Sequence, residues 1–266
     1  MTHPLRPLKR LGQNFLTDPN VARKIVASVP APPEARVVEI GPGTGALTGL
    51  LRERFGDVVA IEVDQRAVAV LRERMPDLDV RHLDVLAVDW HALAAERDGA
   101  PPLYVVGNLP YYITSQVLFG LLEARDCIAS AVVMMQLEVA ERLAAAHGSR
   151  AYGITSVLLQ QYADVAVLFR VSRNVFYPRP DVTSAVVRID FRGAEPEDSV
   201  PFELFRSVTR TAFNQRRKTL RNSLSTLLEE RGISLPERWS GRRAEELSPD
   251  EFVSLTRFIE TGGRLP

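Results

Sequence analysis

The chain has 266 residues, 45% hydrophobic and 25% charged, the balance of a globular protein of one large domain or two ordinary ones. Its 33 basic and 33 acidic side chains cancel, so only a local patch could attract a polyanion. No apolar run reaches the ~18 residues of a membrane span, the basic start lacks the apolar stretch of a secretory signal, and the single cysteine, Cys127, excludes an internal disulfide or a Cys-rich zinc site.

The 4 histidines, none paired at ligand spacing, argue against a metal enzyme, and a cytoplasmic protein is expected. A basic and polar lead, Lys9–Leu16, comes first. Asp18-Pro19 then supplies a helix cap and a proline for the first helical position. Val21, Ile25, Val26 and Val29 share a face, and Pro30, Pro32 and Pro33 end that helix. Strands are expected at 36–40, 58–63, 80–83, 103–106 and 129–135, with helices at 46–55, 67–75, 115–124 and 137–146 between or after them. This alternation is the mark of a parallel, doubly wound α/β sheet.

Beyond Gly153 the pattern changes. A helix at 154–162 precedes two apolar runs, 165–169 and 184–189, expected to finish the sheet as an antiparallel pair. Residues 193–199 read as a polar linker, and 202–261 as helices only. Leu220, Leu224, Leu227 and Leu228 form one stripe, stopped by Gly232. Ser248-Pro249-Asp250-Glu251 is a capping box that Leu247 and Phe252 can staple. The expected domains are 1–192, holding the sheet, and 200–266, small and all-helical.

Two motifs carry chemistry. After the first main strand, Gly41, Gly43 and Ala46 fit a nucleotide-binding turn, with Glu62 about 20 residues on. Taken alone this could mean a nicotinamide dehydrogenase. However, Glu39 just before the turn would repel a pyrophosphate, and no hydride-transfer relay is apparent. A cofactor with a positive centre and no phosphate suits the acids better, and S-adenosylmethionine is such a cofactor. Glu62 would then take its ribose hydroxyls, and Asp84 its adenine amine. The second motif is Gly107-Asn108-Leu109-Pro110-Tyr111-Tyr112, at the carboxyl edge of a strand, where open α/β sheets bind ligands. An amide beside a proline and an aromatic ring offers an acceptor, a fixed turn and a stacking surface. Those suit the exocyclic amine of a nucleobase.

Together the motifs form a set. Glu39–Gly45 resembles the first motif of class I, Rossmann-like S-adenosylmethionine-dependent methyltransferases, and Asn108–Tyr111 resembles the N-x-P-Y motif of enzymes that methylate base amines. With Arg10–Leu16, Phe176–Ser184 and Asn214–Leu220, the chain from 9 to about 260 resembles the ribosomal RNA adenine dimethyltransferase family, within it the bacterial small-subunit branch. The resemblance implies that Asn14, Leu16, Gly41, Glu62, Asp84 and Asn108 bind the cofactor, with Glu39 and Gly43 beside them. It implies dimethylation of two adjacent adenines near the 3′ end of small-subunit RNA, within the 30S subunit or its precursor.

In this reading Asn108 and the Leu109 carbonyl orient the amine, Pro110 stiffens the turn, and Tyr111 and Phe176 stack on the flipped base. Tyr112 is expected in the core. Arg206, Arg210, Arg216, Arg217, Lys218 and Arg221, opposed only by Glu203, with Lys9 and Arg10, would hold RNA phosphates. A monomer is expected. Two other readings stay open: a non-catalytic RNA-binding factor on the same fold, and the dehydrogenase.

Overall fold

The computed structural model describes residues 5–193 and 200–264; the expected linker lies, but for Gly193, outside them. The chain forms two compact units, Met1–Ala140 with Asp164–Gly193, and Glu141–Ala163 with Ala194–Pro266.

The first unit is built on a seven-stranded sheet. In chain order its strands are β2 (Arg36–Ile40), β3 (Asp57–Glu62), β4 (Asp79–His82), β5 (Leu103–Asn108), β6 (Ile128–Gln136), β7 (Ala163–Val171) and β9 (Ser184–Phe191), after a short β1 (Phe15–Leu16). The order across the sheet is β4-β3-β2-β5-β6-β9-β7. From β4 to β6 neighbours are parallel, and β9 runs antiparallel to β6, from Ser130↔Asp190 to Gln136↔Ser184. The central strands are near-continuous apolar runs because both faces are covered: Val37, Val38, Val105, Val106, Val132 and Val133 are all buried. Two-residue strands β1 and β8 (Phe176–Tyr177) form a separate antiparallel ladder.

Helices α1 (Pro19–Ala27), α2 (Thr48–Arg54), α3 (Gln65–Arg74) and α5 (Thr114–Glu123) accompany the sheet. Asp18 caps α1 by accepting from Asn20 N and Val21 N, as its place before Pro19 suggests. α2 starts later than its apolar pattern does, because residues 44–47 form a turn around Gly45 at φ +88°. α4 (Trp90–Ala95), capped by Asp89, has too few turns to register as a periodic pattern.

From β2 the chain steps outward through β3 to β4, then crosses back to place β5 on the other side of β2, so the strand order reverses between β2 and β5. Such switch points leave a crevice at the carboxyl ends of the strands. Ile40 is opposite Gly107, and a Cβ on Gly107 would lie 2.7 Å from the Ile40 carbonyl oxygen. The missing side chain thus lets the two strands close and brings Gly41 and Asn108 out side by side.

The second unit differs from the expected domain by taking in 141–163. After α6 (Leu137–Leu143), helix α7 (Ile154–Tyr162) packs on α8 (Phe202–Asn214): the Tyr162 ring lies 5.8 Å from Phe202 and 6.0 Å from Phe205, edge to face. The Leu220–Leu228 stripe is broken at Leu224 into α9 (Leu220–Ser223) and α10 (Ser225–Arg231), and Gly232, left-handed at φ +65°, ends it. After α11 (Glu237–Ser240), the Ser248/Glu251 capping box opens α12 (Pro249–Glu260), with both reciprocal bonds formed. Among the described residues no helix is long and apolar enough to cross a membrane.

Candidate active site

A cavity of about 290 Å³ opens in the first unit at the switch point. Its walls come from five segments: the strap 11–16, the glycine turn after β2, the end of β3, residues 83–86, and 108–113. Asn14, Leu16, Glu39, Gly41, Gly43, Glu62, Asp84, Asn108, Leu109, Pro110 and Tyr111, named separately in the sequence, all meet there.

One half is acidic. Glu62 is 5% exposed and stands between two backbone donors: Gly43 N reaches Oε2 at 3.0 Å, and Asp64 N reaches Oε1 at 2.8 Å. Burial still raises its pKa, against the pull of those bonds. Glu39 is 1% exposed, and burial, with the charge of Glu62 adding, pushes its carboxyl up to about 8. Its Oε2 has no hydrogen-bond partner among the described residues. Asp84 is exposed; Oδ1 accepts from Leu86 N at 3.0 Å, leaving Oδ2 to a ligand. Val63, Leu83 and Leu86 are exposed hydrophobics on the same wall, a flat apolar surface beside that acid. Among the described residues lining the cavity none is Lys or Arg. The charged side chains of the described lining are thus Glu39, Glu62 and Asp84, and the wall is acidic. Gly41 and Gly43 hold the turn at φ +64° and +56°, and the Phe15 ring lies 3.0 Å from where a Gly43 Cβ would be.

The other half is built on the residues after β5. Asn108 Nδ2 donates to the Asn14 carbonyl at 2.9 Å, which leaves Oδ1 as an acceptor. Leu109 N donates to Met134 O at 3.0 Å, extending the sheet one residue past the strand. The Pro110 carbonyl is engaged, accepting from Ile113 N and Thr114 Oγ1. Tyr111 Oη shares a 2.8 Å hydrogen bond with buried Ser184 Oγ, and burial raises its pKa.

Two aromatic placements differ from expectation. Tyr112 is not core: it is 60% exposed, lines the cavity, and its ring lies 3.1 Å from where a Gly12 Cβ would sit. Phe176 is not among the lining residues; it is 5% exposed, paired with Leu16 in the β1–β8 ladder and held in the core cluster. A Pro-Tyr-Tyr turn gives no local sign of which ring faces out.

The basic residues divide as well. Lys9 and Arg10 are exposed on a short 3-10 turn of the first unit. In the second unit Arg216 is not a free cation. Its Nε meets Glu245 at 2.6 Å and its NH2 donates to Arg150 O at 2.8 Å, ties that no local pattern could reveal. Arg206 pairs with Glu203 at 2.7 Å, and Arg221 NH2 reaches Ser240 Oγ at 3.3 Å. Arg210, Arg217 and Lys218 are exposed, the last two on the turn before α9 rather than on a helix. Exposed Arg243 faces Thr219 across an isolated bridge, a neighbour the sequence did not suggest. Away from the cavity lining, His91, Asp126 and Cys127 place ligand-capable atoms within 4.8 Å of one another, with His91 bonded to Asp126 at 2.9 Å.

The profile of the ribosomal RNA adenine dimethylase family matches residues 6–261. The chain is 55% identical over 261 residues to a ribosomal RNA small subunit methyltransferase A of Salinibacter ruber, covering 98% of this chain and 87% of that one. It is 47% identical to the protein of the same name from Prosthecochloris aestuarii, covering 93% and 92%. Its fold matches a dimethyladenosine transferase from Plasmodium falciparum with a TM-score of 0.76 at 23% identity, over 93% of this chain and 98% of that one. It matches the 23S rRNA methyltransferase ErmE with a TM-score of 0.69 at 26% identity, over 93% and 100%. The chain belongs to the ribosomal RNA adenine dimethylase family and is a methyltransferase of the Rossmann-like class.

Proposed function

We propose that the chain transfers methyl groups from S-adenosyl-L-methionine to the exocyclic N6 amine of two adjacent adenosines near the 3′ end of small-subunit (16S) ribosomal RNA, in the 30S subunit or its precursor. The observation that carries this reading is an acidic cavity, free of Lys and Arg among the described lining residues, that ends on the Asn108 amide with its oxygen left to accept.

When bound, S-adenosylmethionine supplies an electrophilic methyl on a sulfonium, and S-adenosylhomocysteine is the product. The residues fit such a group. Glu62 would accept from the ribose hydroxyls and Asp84 Oδ2 from the adenine amine, while Val63 and Leu86 flank the ring. Ionised Glu39 would offset the positive charge. Asn108 Oδ1 and the Leu109 carbonyl accept the two protons of the target amine. This draws its lone pair out of conjugation and aims it at the methyl. Orientation of this kind can lower a barrier by up to about 7–11 kcal/mol. The proton becomes acidic only once nitrogen bears the new bond, so no strong base is required. Tyr111, held by Ser184, and Tyr112 are the stacking surfaces; each such contact contributes about 1–3 kcal/mol. Lys9, Arg10, Arg210, Arg217 and Lys218 would hold RNA phosphates. A monomer, acting in the cytoplasm where subunits assemble, completes the proposal.

Mass spectrometry of nucleosides from small-subunit RNA tests the reading. A strain lacking this protein should lose N6,N6-dimethyladenosine and regain it with the gene. Undiminished dimethyladenosine would overturn it.

A further inference from the structure

Five consecutive strap residues each meet a different part of the first unit. A Gly12 Cβ would press on Tyr112; Gln13 Nε2 donates to Asp64 Oδ2 at 2.9 Å; the Asn14 carbonyl accepts from Asn108. Phe15 lies on Gly43, and Leu16 pairs with Phe176. Of these contacts, that of Gln13 is a hydrogen bond between two side chains, and it joins the strap to the residue that caps α3.

We propose that Gln13 and Asp64 are positioning residues for methyl transfer: their hydrogen bond pins the strap, and through the Asn14 carbonyl it sets the orientation of the Asn108 amide. This rests on the functional reading above.

The Gln13 amide is tied at both ends, since its Oε1 accepts from Leu8 N at 2.9 Å. Asp64 is 5% exposed and itself braced. Arg66 donates to it from Nε at 3.0 Å, from NH2 at 2.6 Å and from the backbone at 3.1 Å, and Arg66 NH1 reaches Arg6 O at 3.2 Å. These bonds hold the carboxylate ionised, with its pKa down at about 2. Asp64 N in turn donates to Glu62, so one residue braces the cofactor side and the strap together.

The consequence falls on Asn108. A carbonyl such as that of Asn14 accepts only from the NH2 end of an amide. While the strap is pinned, Asn108 presents oxygen to the amine. A strap shifted by an ångström releases the amide to turn over, and its NH2 would then oppose the NH2 of the target. Misplacement on that scale can cost about 100-fold in rate.

The test joins a substrate-free readout to a kinetic one. In 15N-labelled protein the side-chain amide signals of Asn108 are assigned by their disappearance in Asn108→Ala. Gln13→Ala should shift them and speed their exchange with water, and so should Asp64→Asn if the first variant melts early. Single-turnover methylation of unmethylated small subunits, at saturating cofactor and subunit, should fall about 10- to 100-fold in Gln13→Ala. In an Asn108→Ala background the same change should cost less than about twofold, because the group it positions is already gone. Unmoved Asn108 signals, or the same fractional loss in both backgrounds, would overturn the inference. Should wild-type protein fail to methylate these subunits, the functional reading falls, while the amide signals still decide the positioning role.

Discussion

Asn108 Nδ2 and the Asn14 carbonyl, 94 residues apart in sequence, meet at 2.9 Å and orient the one side-chain amide at the end of β5. Asn108→Ala removes the acceptor but leaves the Leu109 carbonyl. Single-turnover methylation should fall at least about 100-fold, the scale for losing one oriented polar group at a reacting centre. Subunit binding should stay within about threefold, since phosphate contacts carry most of that affinity. A filter-binding titration beside the rate assay checks both. Equal losses in the two would mean that Asn108 holds the fold rather than the amine.

Glu39 predicts a pH dependence of known sign. Its folded pKa is about 8 against an ordinary 4.5, so between those values the folded state binds more protons than the unfolded chain. Its contribution to stability is whole below about 4.5 and is lost as pH rises towards 8. Melting temperatures from pH 5 to 9 should show this fall, and Glu39→Gln should flatten it. Glu62, shifted the same way, keeps part of the slope. A cationic cofactor favours the ionised acid, so binding at pH 7 should release a proton. Calorimetry in buffers of different ionisation enthalpy would show that release, and its absence, with an unaltered slope in Glu39→Gln, would contradict the electrostatic account.

Gly107 is a steric requirement. Gly107→Ala would push Cβ to 2.7 Å from the Ile40 carbonyl oxygen, a backbone atom that cannot swing aside. Destabilisation of about 1–3 kcal/mol is expected, with weaker S-adenosylhomocysteine binding as Gly41 and Asn108 part. Gly49→Ala on α2 is the control: nothing lies within 4 Å of its Cβ, and a helical alanine should stabilise by up to about 1 kcal/mol. Thermal unfolding of the pair checks the contrast, and a silent Gly107→Ala would contradict it.

Arg216 and its neighbour Arg217 should behave differently. Replacing exposed Arg217 and Lys218 by alanine should weaken subunit binding and reduce the slope of log K against log salt by about 2, one for each phosphate contact. Stability should hardly change. Arg216→Ala breaks the ties to Glu245 and Arg150 and should lower the melting temperature instead. An unaltered salt slope in the first variant would remove these residues from the RNA surface.

The legible parts of the molecule were those written in local pattern. Short apolar runs set between helical patterns gave the sheet strands, and Asp18-Pro19 and the Ser248 box gave helix starts that the structure retains. The glycine turn and Asn108 could be placed at one sheet edge because both follow strands, and the cavity joins them. What stayed hidden depends on distant partners. Nothing near Arg216 announces Glu245, and nothing near Tyr162 announces Phe202 and Phe205, which draw 141–163 into the second unit. Tyr112 lies beside Gly12 and Phe176 pairs with Leu16, partners far away in sequence.

The cavity is proposed to methylate an adenine amine under the control of Asn108. Purified protein, S-adenosylmethionine labelled with tritium on the methyl, and small subunits from a strain lacking the enzyme test it most directly, with the product RNA digested to nucleosides. Label should appear in N6,N6-dimethyladenosine, two nucleosides per subunit, and at least about 100-fold more slowly with Asn108→Ala. Label in another nucleoside, or none with the wild-type protein, would contradict the account.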